Sequence, residues 1–103
     1  MSINKTILIT GAAKRIGKEI ALTFSNMGWN IIIHYNSSKN DAEELANQIN
    51  SINSNTAKII QANLDVVTDV HRLIIEARSC FDSIDVLVNN ASTFYPTPID
   101  EIS

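Results

Sequence analysis

Three observations predict an α/β fold with a doubly wound parallel sheet. Short β-branched runs alternate with stretches of helical period. The runs are apolar throughout rather than at every second residue, as in strands buried on both faces. A glycine-bearing turn joins the first run to the first helical stretch. Right-handed crossovers with strand one in the centre give the order 3-2-1-4, and the crevice at the carboxyl ends of strands one and four is then where a ligand binds.

Strand one is read from Thr6 to Ile9, ended by Thr10-Gly11. Helix one follows from Arg15 to Met27, with Ile16, Ile20, Ala21, Phe24 and Met27 at helical spacing and Gly28 as its stop. Phe24, Met27 and Trp29 are expected to pack between helix and sheet. Strand two is Asn30 to Tyr35, ended by the polar cluster Asn36 to Asn40. Asp41 and Glu44 form a capping-box-like start to helix two, whose buried face is Ala42, Leu45, Ala46, Ile49 and Ile52. The Asn and Ser residues from Asn50 to Asn55 read as a loop. Strand three is Ala57 to Gln61, helix three runs from Val70 to Phe81, and strand four from Asp85 to Asn89. His71 on the flank of helix three is expected to be a solvated surface residue.

With 103 residues, of which 45% are hydrophobic, the chain makes one small globular domain at most. Its apolar runs are too short to span a bilayer, and the polar start MSINKT is not a signal peptide, so a cytoplasmic protein is expected. Cys80 is alone, which excludes an internal disulfide, and it reads as a helix filler. The net charge of −3 argues against general nucleic-acid binding. Lys14, Arg15 and Lys18 stand out against it, because cations at a helix N-terminus oppose the helix dipole and an anion there would account for them.

The turn from Gly11 to Gly17 aims backbone N–H groups and the positive end of helix one at a single point, which suits a phosphate or pyrophosphate. Gly11 permits the tight turn and Gly17 the close approach of helix to strand. Arg15 occupies the position where a dinucleotide fingerprint has its middle glycine. Strand two ends His34-Tyr35-Asn36-Ser37-Ser38 with no acid before Asp41, whereas an NAD site presents a carboxylate to the ribose 2′-hydroxyl. His34, Asn36, Ser37 and Ser38, faced by Lys14 from the glycine turn, suit the 2′-phosphate of NADPH instead. Asn89 and Asn90 either tie strand four to its neighbours or touch the ligand.

TGAAKRIG (Thr10 to Gly17) followed by VLVNNAS (Val86 to Ser92) resembles the short-chain dehydrogenase/reductase family, whose cofactor domain is Rossmann-type. TGAAKR with HYN and NNASTFYPTP is similar to its pteridine reductase branch, which reduces dihydropteridines with NADPH. The resemblance implies that Gly11, Arg15, Ile16 and Gly17 line the pyrophosphate, with Arg15 also reaching the substrate. It implies Asn63 and Leu64 beside adenine, Tyr35 among the cofactor residues at the end of strand two, and Asn90, Ala91 and Ser92 along the ribose. It further implies Ser92 and Phe94 at the substrate, a flat pteridine lying between Phe94 and the nicotinamide, and a homo-tetrameric parent. Asn63 departs from the family's usual Asp and is expected to bond through its amide oxygen. Ser92 replaces a usual glycine, as in the pteridine branch.

Strand four reads as an interior strand with no later strand to pair with it, so residues 1–103 are expected to be an incomplete dinucleotide-binding domain: an N-terminal piece of a larger reductase, or a chain that borrows its other half. The family's catalytic Tyr-x-x-x-Lys pair is expected after Ser103, and no catalytic residue within the chain. A reductase of another carbonyl compound and a non-catalytic nucleotide-binding module remain open beside the pteridine reading.

Overall fold

The computed structural model of the chain describes residues 4–90. Strand and helix alternate throughout: β1 (Thr6–Ile9), α1 (Arg15–Asn26), β2 (Asn30–Tyr35), α2 (Lys39–Ile52), β3 (Ala57–Gln61), α3 (Val67–Cys80) and β4 (Val86–Val88). The four strands pair in parallel in the order β3-β2-β1-β4, as the alternation requires.

Because neighbouring side chains of a strand point to opposite faces, the unbroken runs TILI and NIIIHY supply two cores at once. Ile7, Ile9, Ile31 and Ile33 meet Ala21 of α1 and Ala42, Leu45 and Ile49 of α2 on one face. Leu8, Ile32 and Ile60 meet Leu73 and Ala77 of α3 on the other. The six central Ile and Leu side chains of β1 and β2 are fully buried, each contributing roughly 2 kcal/mol of hydrophobic stabilisation. Phe24 and Trp29 close the end of the first core edge-to-face, with ring centroids 5.0 Å apart, and Lys5 lies over the indole. Met27 does not join them; it is 63% exposed.

Strands β1, β2 and β3 match their sequence patterns, but the helix ends do not. Helix α2 begins two residues before Asp41, with Ser38 as an N-cap whose side chain makes no capping bond, so Asp41 lies in the first turn, where its charge complements the dipole. The same helix runs through Asn50 and Ser51 to Ile52 rather than yielding to a loop. Asn50 is kept in the last turn by the chain returning to β3: its Oδ1 accepts from the N–H groups of Thr56 and Ala57, and its Nδ2 donates to Ala57 O. Helix α3 starts three residues before Val70, where Val67 is exposed and off the apolar stripe. His71 is exposed, as its place on the helix flank implies.

Strand β4 is shorter than the expected Asp85 to Asn89 and covers only the apolar run Val86–Val88. Asp85 stays outside it and clamps the start of β1, its Oδ2 accepting from Thr6 N–H at 2.8 Å and its own N–H donating to Thr6 O at 2.8 Å. Leu87 pairs in register with Leu8 and shares its face, yet it is 51% exposed. Among the described residues, β4 is the outer strand on that side.

Candidate functional site

At the carboxyl ends of β1, β2 and β3 lies a cleft of about 550 Å³, walled by the β1–α1 turn, the β2–α2 loop and the segment after β3. The strand order reverses between β1 and β4, and Asn90, which follows β4, brings that switch point to the edge of the cleft.

The β1–α1 turn is held by bonds from β4. Thr10 N–H donates to Val88 O at 3.0 Å, and its hydroxyl donates to Asn89 Oδ1 at 3.0 Å while accepting from Asn90 N–H at 2.8 Å. Asn90 Nδ2 donates to Gly11 O at 3.2 Å. Both asparagines therefore tie β4 to the turn, and Asn90 also lines the cleft. Gly11 turns the chain at φ 62°. Gly17 fills the space beneath: a Cβ on it would lie 2.5 Å from both Asn90 Nδ2 and Gly11 O, and 2.8 Å from Ala12 Cα. Gly17 thus supports the cleft without lining it.

Arg15 sits at φ 57°. This left-handed conformation explains why a glycine suits the position, and a side chain there costs about 1–2 kcal/mol. Arg15 and Ile16 line the cleft and also a second groove of about 520 Å³ along α1, which Lys18 and Phe24 line as well. Helix α1 has Lys14 as its N-cap, with no side-chain capping bond. The first-turn N–H groups of a helix lack intrahelical acceptors, and in α1 these belong to Arg15, Ile16 and Gly17.

His34 is corrected from phosphate donor to internal strut. Its ring is 2% exposed; Nδ1 accepts from Gly11 N–H at 2.9 Å and Nε2 lies 2.9 Å from Ala62 O. With Nδ1 accepting, Nε2 carries the proton and donates, so both nitrogens are engaged. Burial lowers the imidazole pKa, an effect the Ala62 carbonyl partly offsets, so the neutral ring is favoured. His34 O also accepts from Ala12 N–H at 3.1 Å, so the N–H groups of Gly11 and Ala12 serve the turn rather than an anion.

The β2–α2 loop supplies the opposite wall through Tyr35, Asn36, Ser37 and Ser38. Asn36 is fastened to β3, its Oδ1 and main-chain oxygen both accepting from Gln61 Nε2. Lys14 reaches across from the glycine turn to Asp41 of α2, Nζ to Oδ2 at 3.4 Å. The basic trio is therefore divided, with Lys14 at the cleft, Lys18 at the second groove and Arg15 at both.

Asn63 and Leu64 close the third side. The amide oxygen expected to face adenine is engaged within the chain: Asn63 Oδ1 accepts from Asp65 N–H at 2.9 Å, and Asn63 N–H donates to Asp69 Oδ2 at 2.9 Å. Arg72 braces this segment, donating to Gln61 O at 2.8 Å and pairing with Asp69 and Glu76. Ala91, Ser92 and Phe94 lie outside the described residues.

Sequence reasoning overlooked Ala13, which lines the cleft with no polar signal to reveal it, and the partnership of Lys14 with Asp41. It also overlooked that Tyr35 and Lys39 have the Tyr-x-x-x-Lys spacing. That spacing places both side chains together only on one helix face. Tyr35 ends β2 and is buried, while Lys39 begins α2 and is exposed, so the two form no such pair.

The lining fits a nicotinamide dinucleotide: among the described residues it contains Lys14, Arg15, two serines and three amides and no carboxylate, and Gly17 marks a backbone approach that no other residue allows.

The family model described as short chain dehydrogenase matches residues 5–103. A hydroxynaphthalene reductase-like protein of Metarhizium brunneum is 35% identical over 99 residues, covering 96% of this chain and 37% of the relative. A 3-oxoacyl-(acyl-carrier-protein) reductase of Staphylococcus epidermidis is 40% identical over 89 residues, covering 86% of this chain and 36% of the relative. Its counterpart in Staphylococcus aureus is 40% identical over 91 residues, with 88% and 37% covered. The chain thus spans a little over a third of the length of these curated relatives.

Proposed function

The chain belongs to the short-chain dehydrogenase family, and from that premise we propose that the whole protein reduces a C=N bond of a pteridine with NADPH, residues 1–103 supplying the cofactor-binding half. A reduced nicotinamide supplies a hydride to the substrate when bound. Lys14, Ser37 and Ser38 hold the 2′-phosphate, and the first turn of α1 receives the pyrophosphate. Thr10, Asn89 and Asn90 fix the turn against β4, and His34 keeps it at a set distance from β3. The proton that must accompany the hydride comes from a group outside the described residues.

The observation that carries the substrate reading is Arg15. A residue in the left-handed region costs free energy that glycine avoids, and this one lines both the cofactor cleft and the groove beyond it. A guanidinium there can face a pyrophosphate oxygen and a flat, polar heterocycle together.

A second reading, reduction of a ketone, is favoured by the relatives named as 3-oxoacyl-(acyl-carrier-protein) reductases. NADPH oxidation by the complete protein separates the two. Turnover with a dihydropteridine and none with a 3-oxoacyl thioester supports the pteridine reading, and the reverse replaces it with the ketone one.

A further inference from the structure

Lys14 lines the cleft, but its ammonium is not directed only at the cleft: it is paired with Asp41 at 3.4 Å, and Asp41 is not among the lining residues. The pair joins the glycine turn to the first turn of α2, so a carboxylate stands directly behind the cation assigned to the 2′-phosphate. An acid at the end of β2 would reject a phosphorylated ribose outright. Here the acid has been set back into α2, where it reaches the site through Lys14.

We propose that Asp41 is a specificity-determining residue of the cleft: its carboxylate competes with an adenosine 2′-phosphate for the Lys14 ammonium and so moderates the preference for NADPH over NADH. The inference rests on the NADPH reading above. The Lys14 and Asp41 side chains are 59% and 45% exposed, and such a pair yields readily. A phosphate that takes the ammonium nevertheless brings a charge of about −1.5 to −2 close to the carboxylate. A ribose 2′-hydroxyl brings none, so only the phosphorylated cofactor experiences the repulsion.

The test is calorimetric titration of the complete protein with adenosine 2′,5′-bisphosphate and with 5′-AMP, which requires no turnover. Asp41→Asn should tighten the bisphosphate about three- to tenfold and leave 5′-AMP within about twofold. Asp41→Ser, which also removes the charge but keeps a short polar side chain, should do the same if Asp41→Asn disturbs α2. Lys14→Ala should remove most of the difference between the two probes and reduce the effect of a second substitution at Asp41. If Lys14→Ala leaves the preference intact, the NADPH reading falls and the role of Asp41 falls with it. If Lys14→Ala abolishes the preference while both Asp41 variants bind the bisphosphate no more tightly than the parent, the NADPH reading stands and the proposal for Asp41 is overturned.

Discussion

The two sides of the cleft are built in opposite ways. The β1–α1 turn is packed backbone on backbone: Gly17 leaves no room for a methyl group, and Thr10, Asn90 and His34 each bond to the main chain beside it. The β2–α2 loop is open: Asn36 and Ser37 are exposed, Ser38 makes no capping bond, and the ion pair at its rim is half in solvent. A close-packed region transmits any added volume as strain, whereas exposed polar side chains change at little cost to the fold. On the NADPH reading proposed above, the first wall would take the part of a dinucleotide that never varies, and the second the ribose substituent that distinguishes two cofactors.

Substitutions on the two walls should therefore separate stability from binding. The largest effect is expected for Gly17→Val, which drives a branched side chain against Asn90 and the Gly11 carbonyl; it should cost about 3 kcal/mol or more by urea denaturation of the complete protein. A Gly17→Val variant of parental stability would break the contrast. Next, Lys14→Ala should leave the denaturation midpoint almost unchanged and weaken NADPH by about 1–3 kcal/mol more than NADH; equal losses would remove the phosphate from this wall. Arg15→Gly should stabilise the protein by about 1 kcal/mol through relief of its left-handed backbone, offset in part by glycine's flexibility in the unfolded chain, while lowering kcat/KM for the pteridine. A stabilised variant with parental kinetics would leave Arg15 without a role at the substrate.

The smallest effect concerns pH. Burial holds the His34 pKa below its ordinary value of about 6.5. As pH falls through that value the unfolded chain takes up a proton before the folded one does. The contribution of neutral His34 is therefore present above about 6.5 and is lost between there and the lower folded pKa. His34→Asn should flatten thermal stability measured from about pH 7.5 to 5.5 relative to the parent. A parental slope in that variant would assign the dependence to another group.

The strands and their order were legible because a parallel sheet covered on both faces needs uninterrupted apolar runs, and TILI and NIIIHY have no other use. The ends of α2 and α3 were not, because Ser38 and Val66 offer no side-chain cap and Asn50 resembles a loop residue until the strand it bonds is in place. His34 shows the same limit at the site. A polar residue ending an apolar strand reads as a ligand donor, and only the proximity of Gly11 and Ala62 reveals that both its nitrogens are engaged. The pairing of Lys14 with Asp41 was illegible for a similar reason: the first charge belongs to a turn and the second to a helix, and no periodicity connects them.

The bonds from Asn90 to Gly11 and Thr10 have a consequence in time. They join residues 79 and 80 positions apart, so the floor of the cleft closes only after almost all of the described chain has been synthesised and β4 has found β1. Local helices form within microseconds, but a contact of this span must first overcome the entropy of closing the intervening loop. During translation, β1, β2 and β3 with α1 and α2 can assemble while the glycine turn still lacks its last supports. The nascent chain would then assemble most of its sheet before the cleft is complete, and the docking of β4 would finish both together.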